Sequence, residues 1–189
     1  MRIKTFTGMA FSIVNIVVGF VALAPSSAAP LPEEARLTQA QVKLLQSLGV
    51  RVAAPAYVPA GFRLEKVQAE LARSTRVGGI GYSLIYQKYD SNSGKNLCFA
   101  IEATNGGIGS LPNGESSYPV KNPVLGSSTI EYGRYSEVSN PTLLGNWMGG
   151  ENGPFYRFAG AGAFPALSRC ENISPQEAVR VSESLVYLP

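Results

Sequence analysis

The sequence predicts an α+β fold: an antiparallel sheet of about six strands, covered by one N-terminal and one C-terminal helix. Three features carry that prediction. Apolar residues alternate with period two through the middle of the chain, and clusters of Gly, Asn, Asp and Ser separate the runs as hairpin turns do. Helix-start signals stand near both ends of the same region. The composition, 45% hydrophobic with 20 Gly and 13 Pro in 189 residues, is that of a loop-rich chain with enough apolar mass for one core. Strands joined by hairpins pair antiparallel, and amphipathic helices must bury their apolar stripe against the resulting sheet.

In chain order, Arg2 and Lys4 precede an apolar run from Phe6 to Ala24, and Pro25 to Pro30 supplies a helix break and small residues. This is the layout of a secretory signal peptide, with cleavage expected after Ala28. Thr7, Ser12 and Asn15 interrupt the run and argue against an uncleaved membrane anchor. Residues 1–28 are therefore predicted to be a signal peptide, 29–36 a flexible leader and 37–189 a single domain. Thr38 and Gln41 form a capping box; Val42, Leu45 and Leu48, with Leu44, make the helix's apolar stripe, and Gly49 ends it. Pro55 and Pro59 make residues 51–61 an extended connector. Phe62 and Leu64 alternate in one phase, then Val67, Ala69 and Leu71 in the other, so a bulge is expected at Glu65-Lys66. Ile80 to Tyr89 is the clearest strand, and the turn Asp90 to Gly94 joins it to Asn96–Ala103 as a hairpin. Thr104 to Gly126, rich in Gly and Pro, reads as a long irregular loop. Ser127–Ser136, Leu143–Met148 and Phe155–Gly160 read as strands, the last two joined across Gly149–Gly153. Ser174-Pro175-Gln176-Glu177 starts a second helix, expected to run to about Tyr187.

The chain has no histidine, a single aspartate (Asp90) and two cysteines. That excludes Ser-His and Cys-His dyads, His-containing zinc sites and Cys₄ zinc sites. Calcium would need several acidic and amide ligands in one loop. No cofactor and no metal site is expected. Arg2 and Lys4 leave with the signal peptide, so the remaining chain is nearly neutral. No Lys/Arg run remains that could neutralise several phosphates, which removes nucleic acid as a partner; Arg73 and Arg76, the nearest approach to a cluster, read as a solvated edge. Exported chains meet an oxidising compartment, so Cys98 and Cys170 are expected to bridge, a cross-link that the chain-entropy model values at ~4 kcal/mol. The tetrapeptide Gly-Gly-Ile-Gly occurs at Gly78–Gly81 and Gly106–Gly109. Neither copy opens a helix after a strand, as a phosphate loop does, so both read as tight turns needing positive φ. Glu102, Glu115, Glu131 and Glu151 are candidates for the carboxylate pair of a glycoside hydrolase, although no spacing fixes two of them together.

Aromatic residues concentrate in the second half, with arginines beside them. Tyr132, Arg134, Trp147 and Tyr156 are the candidate ligand face of an open sheet. The alternative is that such residues simply fill core and cross-strand positions. Pro55-Ala56-Tyr57-Val58-Pro59-Ala60-Gly61-Phe62 resembles the Pro-x-Tyr-[Leu/Val]-Pro-x-Gly-[Phe/Tyr] opening of a bacterial extracytoplasmic domain of unknown function, one associated with anti-sigma-factor-like membrane proteins. The resemblance continues through the tyrosine-rich strand Gly81–Tyr89 and closes on Ser174-Pro175-Gln176-Glu177 and Ser182-Glu183-Ser184-Leu185, spanning about Val52 to Leu188. The Gly-rich loop and both cysteines have no counterpart in it. It implies a lipoprotein-carrier-like half-barrel whose sheet curves around an apolar cleft, and it brings no catalytic residues. The expectation is an exported, non-enzymatic domain, periplasmic or secreted, that binds a protein, lipid or glycan of the cell envelope and has no membrane span once cleaved. The alternatives are a carbohydrate-active hydrolase using a glutamate pair, and a structural envelope component without a ligand.

Overall fold

The computed structural model describes residues 31–71, 79–106, 111–137 and 139–189. The predicted signal peptide and its cleavage point, Arg73 and Arg76, and parts of both Gly-Gly-Ile-Gly segments lie outside the described residues.

Two helices form where the capping residues stand. Helix α1 (Gln39–Gln46) begins with a complete capping box: the Thr38 hydroxyl accepts from the Gln41 N–H and the Gln41 side chain accepts from the Thr38 N–H. Its buried stripe is Val42 and Leu45; Leu44, which the sequence places on that stripe, is 61% exposed. Helix α2 (Pro175–Glu183) starts with Ser174 accepting from the Glu177 N–H and Pro175 at the first position. It stops at Glu183, short of Tyr187. Leu185-Val186-Tyr187 is instead a strand, because branched and aromatic side chains lose less in extended backbone and a partner strand is at hand.

That partner is β1 (Ala53–Pro55), inside the predicted connector, which pairs antiparallel with β9 (Leu185–Tyr187). The main sheet comprises β2 (Arg63–Glu70), β3 (Gly81–Asp90), β4 (Lys95–Thr104), β5 (Asn113–Asn122), β6 (Gly126–Arg134), β7 (Thr142–Gly145) and β8 (Phe155–Gly160). Its order is β2-β3-β4-β8-β7-β6-β5, all pairs antiparallel. Two meanders, β2–β4 and β5–β8, are thus joined along β4 and β8, and β2 and β5 are open edges. Among the described residues the main sheet has seven strands where about six are predicted, and β1 and β9 form a separate pair. The strand absent from the sequence reading of the main sheet is β5, which occupies the supposed loop. It is an edge strand with a mostly exposed outer face, and it accommodates Pro119 because an edge position can forgo a ladder donor. The phase flip at Glu65 is a register shift between Leu64 and Lys66, as the alternation predicts.

Alternation assigns the faces. Tyr82, Leu84 and Tyr86 of β3, Phe99 and Ile101 of β4, and Tyr156 and Phe158 of β8 share one core with Val42 and Leu45 of α1 and Ala178 and Val181 of α2. Tyr86, Phe99 and Phe158 stack in series across the three strands, with centroids 5.0 and 5.6 Å apart. The opposite face carries a smaller cluster of Ile85, Cys98, Ala100, Leu144 and Ala159 beneath Leu167. The glycines at the start of β3 serve close approach rather than positive φ. A Cβ on Gly81 would stand 2.1 Å from the Ala103 carbonyl oxygen, and one on Gly79 would stand 2.5 Å from the Gly106 nitrogen.

The predicted leader is part of the fold from Leu31 onward. Ala35 is fully buried and its carbonyl accepts from the Tyr86 hydroxyl at 3.0 Å. The Tyr82 hydroxyl both donates to the Ala53 carbonyl and accepts from the Ala53 N–H, each at 2.7 Å. The Tyr156 hydroxyl donates to the Arg51 carbonyl at 2.5 Å. Three phenols of the sheet therefore pin the N-terminal segment across the core, satisfying backbone groups that no strand partner reaches.

Candidate functional site

One concavity interrupts the covered face. Tyr132 of β6 lies directly opposite Leu143 of β7, and Tyr118 of β5 sits two pairs further along, opposite Ile130 and on the same face, so three neighbouring strands present side chains to the same space. The opposite wall is the chain that follows β8: Ala161 and Gly162, then Ser168 and Cys170, then the lead into α2 from Glu171 to Pro175. Asn140 and Pro141 close one end. The cleft is open to solvent and has a volume of about 610 Å³.

That wall is held on both sides. The Cys98–Cys170 disulfide ties it to β4, with the two Cα atoms 5.8 Å apart. The Glu171 N–H donates to the Asn96 carbonyl at 2.8 Å, the Cys98 N–H donates to the Glu171 carbonyl at 3.1 Å, and the Glu171 carboxylate pairs with Lys95. Asn172 crosses to the other side: its amide donates to the Pro141 carbonyl at 3.0 Å and its oxygen accepts from the Leu143 N–H at 3.4 Å. Among the described residues neither the Tyr118 nor the Tyr132 hydroxyl makes a hydrogen bond. The cleft thus joins two half-buried aromatic rings with free polar tips to a fixed wall of amide, hydroxyl and carboxylate groups.

The four residues expected on one ligand face are not brought together. Tyr132 lines the cleft. Arg134 follows it on the same face but is engaged at the strand end, its Nε 3.4 Å from Glu115 and its Nη1 donating to the Ser139 carbonyl at 2.6 Å. Trp147 belongs to the other face, where the Arg157 guanidinium lies 4.1 Å from its ring centre and the Arg157 Nε pairs with Glu102 at 2.5 Å. Tyr156 is 0% exposed, in the core beneath the Arg51 carbonyl, and is no ligand-face residue. Burial pushes the Tyr135 phenol up, with Arg157 lowering and Glu102 raising it, which places Tyr135 near that ion pair.

The carboxylates are dispersed. Glu102 and Glu131 point to the same face but stand three strands apart, on β4 and β6, about 14 Å at ordinary strand spacing. A glycosidase pair needs about 5–10 Å. Glu131 accepts from the Ser117 hydroxyl at 2.8 Å, Glu115 pairs with Arg134, and Glu151 is exposed in the turn before β8. Among the described residues no group of three His, Cys, Asp or Glu side chains could hold a metal ion, and no helix is long and apolar enough to cross a membrane.

Comparison with known proteins returns no relative: no family model, no curated protein and no solved structure matches the chain. The segments Pro55–Phe62 and Ser174–Leu185 meet in space. The Tyr57 hydroxyl donates to Glu177 at 2.6 Å, the Arg180 guanidinium stacks 4.1 Å from the Tyr57 ring, and the Tyr57 N–H donates to the Ser184 hydroxyl at 3.1 Å. The hydrogen bond to Glu177 is the main cause of the Tyr57 phenol's raised pKa.

The cleft residues that the sequence reading missed are Tyr118, Asn140, Glu171 and Asn172. Tyr118 and Val120 alternate with exposed neighbours on either side of Pro119, a strand signal that the surrounding glycines and prolines obscure. The other three lie in loops, where no periodicity marks them.

Proposed function

We propose that the chain is an exported, non-enzymatic domain that binds a component of the cell envelope in the cleft between β5–β7 and the lead into α2. One observation carries the reading: a preformed cleft of about 610 Å³, the size of a small-ligand site, with aromatic rings on one side and convergent polar groups on the other. The dispersal of the carboxylates supports binding over hydrolysis, since each of Glu102, Glu115 and Glu131 is engaged separately and none lines the cleft. The N-terminal signal pattern and the paired cysteines both suit an oxidising, extracytoplasmic location. In this reading the open seven-stranded sheet corresponds to the half-barrel that the family resemblance implies, curving around the cleft.

The test expresses the full chain through its own leader in a bacterial host, recovers it from outside the cytoplasm and sequences its N-terminus, expected at Ala29. Immobilised protein is then exposed to solubilised envelope beside Asn140→Trp, which fills the cleft from an exposed position and leaves the core intact. A component held by the wild type and not by the variant supports the reading. Equal retention by both overturns binding in the cleft, and release of new reducing ends from peptidoglycan or polysaccharide overturns the non-enzymatic reading.

A further inference from the structure

Resting on that reading, we propose that the cleft takes a neutral saccharide of one or two pyranose units. The lining selects for it on four counts. Tyr118 and Tyr132 are half-buried against the core and line the cleft, so their rings offer apolar surface, and among the described residues their hydroxyls have no hydrogen-bond partner. A pyranose presents the complement, a face of C–H groups edged by hydroxyls. The facing wall, with Asn140 at its end, supplies donors and acceptors: the Asn140 and Asn172 amides, the Ser168 hydroxyl oxygen, whose hydrogen is donated to the Pro165 carbonyl at 2.8 Å, and the Glu171 oxygen that Lys95 does not hold. Asn172 still has one amide hydrogen to donate after its bond to Pro141.

Charge narrows the choice further. Among the described residues no Lys or Arg lines the cleft, and Lys95 beside it is already engaged by Glu171, so a phosphate or carboxylate ligand would meet no unpaired cation in the lining. An acyl chain would strip water from four polar side chains and return no hydrogen bond to them. A polyhydroxylated neutral ring satisfies both constraints. The site is also rigid. The disulfide, the backbone bonds between Glu171 and β4, and the Asn172 bridge fix the polar wall before any ligand arrives, and Pro141 and Pro175 restrict its ends. Little ordering is left for the ligand to impose, which is how a small polar ligand gains affinity from few contacts.

The experiment is a titration of the isotope-labelled full chain, exported and processed by its host, followed by amide resonances. The probes are cellobiose, maltose and N,N′-diacetylchitobiose, with sodium laurate and inorganic phosphate alongside. The expected result is saturable movement of the Tyr118, Tyr132 and Asn172 resonances by at least one disaccharide, at about millimolar Kd or tighter. Tyr132→Ala weakens that binding about tenfold or more, whereas Tyr132→Phe, which keeps the ring, retains most of it. Asn140→Trp, substituted at an exposed site, abolishes it with the remaining spectrum unchanged. The assignment is overturned if no disaccharide moves these resonances at about 20 mM, or if laurate or phosphate moves them instead. Should the disaccharides fail while Asn140→Trp still releases an envelope component, the saccharide assignment alone falls; should Asn140→Trp also change nothing, the binding cleft falls with it.

Discussion

Tyr82 shows what one oxygen atom does in this fold. Its hydroxyl satisfies both backbone groups of Ala53, on the side of β1 that faces away from β9. Tyr82→Phe keeps the ring and the volume but leaves a buried N–H and a buried carbonyl without partners. An unmet buried group costs about 1–3 kcal/mol, so a loss of about 2–6 kcal/mol is expected for the pair. Tyr86→Phe strands only the Ala35 carbonyl, which has a single bond to lose, and should cost about 1–2 kcal/mol. Urea denaturation of the two variants at neutral pH checks the order; equal losses would mean that Ala53 finds other partners or water. The period-two pattern of Tyr82, Leu84 and Tyr86 is enough to place those rings on one face. It says nothing of the hydroxyls, whose partners lie 29 and 51 residues away. Tyr132 and Tyr156 illustrate the same limit for the site. Both are strand tyrosines followed within two residues by an arginine, yet one lines the cleft and the other is sealed in the core. Which of the two happens depends on whether a helix or a loop lies above, and neither residue type nor spacing encodes that.

At the scale of elements, the legible parts are those whose signals are local. The capping box of α1, the start of α2, the β3–β4 hairpin and the bulge in β2 are each specified within a few residues, and each stands where the sequence puts it. The end of α2 is different, because a long-range contact sets it. The Asn122 amide donates to the carbonyls of Ser182, Glu183 and Leu185 at 2.9–3.1 Å, while its oxygen accepts from the N–H groups of Val124 and Leu125 at 2.8 and 2.7 Å. One buried side chain thus caps the last turn of α2, releases the chain into β9 and fixes the β5–β6 turn. Nothing in the local sequence of α2 signals this, so its apolar spacing reads as helix to Tyr187. Asn122→Ala should cost about 3 kcal/mol, near the upper end for a single substitution, because donors and acceptors on two elements lose their partner together. Asn122→Asp keeps the acceptor for the turn and, while its carboxyl is protonated, offers the helix end one O–H donor in place of two amide N–H donors, so at such a pH it should fall between Ala and wild type. Thermal unfolding of the three proteins tests the ranking, and a neutral Asn122→Ala would show that water replaces the network.

The whole molecule joins these links across long sequence distances, and its response to conditions follows from what it buries. Cys98 and Cys170 are 72 residues apart in sequence, so the chain-entropy model gives the bridge ~4 kcal/mol. Reduction should therefore lower the urea midpoint more than Tyr86→Phe does, and it should loosen the polar wall of the cleft, which Cys170 joins. Response to pH is decided by the same phenols that pin the N-terminal segment. Burial raises the Tyr82, Tyr86 and Tyr156 hydroxyls above their ordinary range. In the unfolded chain they ionise near pH 10; in the fold they hold their protons to higher pH. Their stabilising contribution is therefore complete below about pH 10 and is lost as pH rises above it, by up to ~1.4 kcal/mol per pH unit for each phenol. The chain has no histidine, so no side chain of ordinary pKa titrates between about pH 6 and 8. Unfolding free energies measured by urea from pH 6 to 11.5 should run level to about 9.5 and then fall steeply, and Tyr86→Phe should make that fall shallower. A curve that declines from neutrality, or one that stays level through pH 11, would mean that these phenols do not carry the buried, protonated role that the structure gives them.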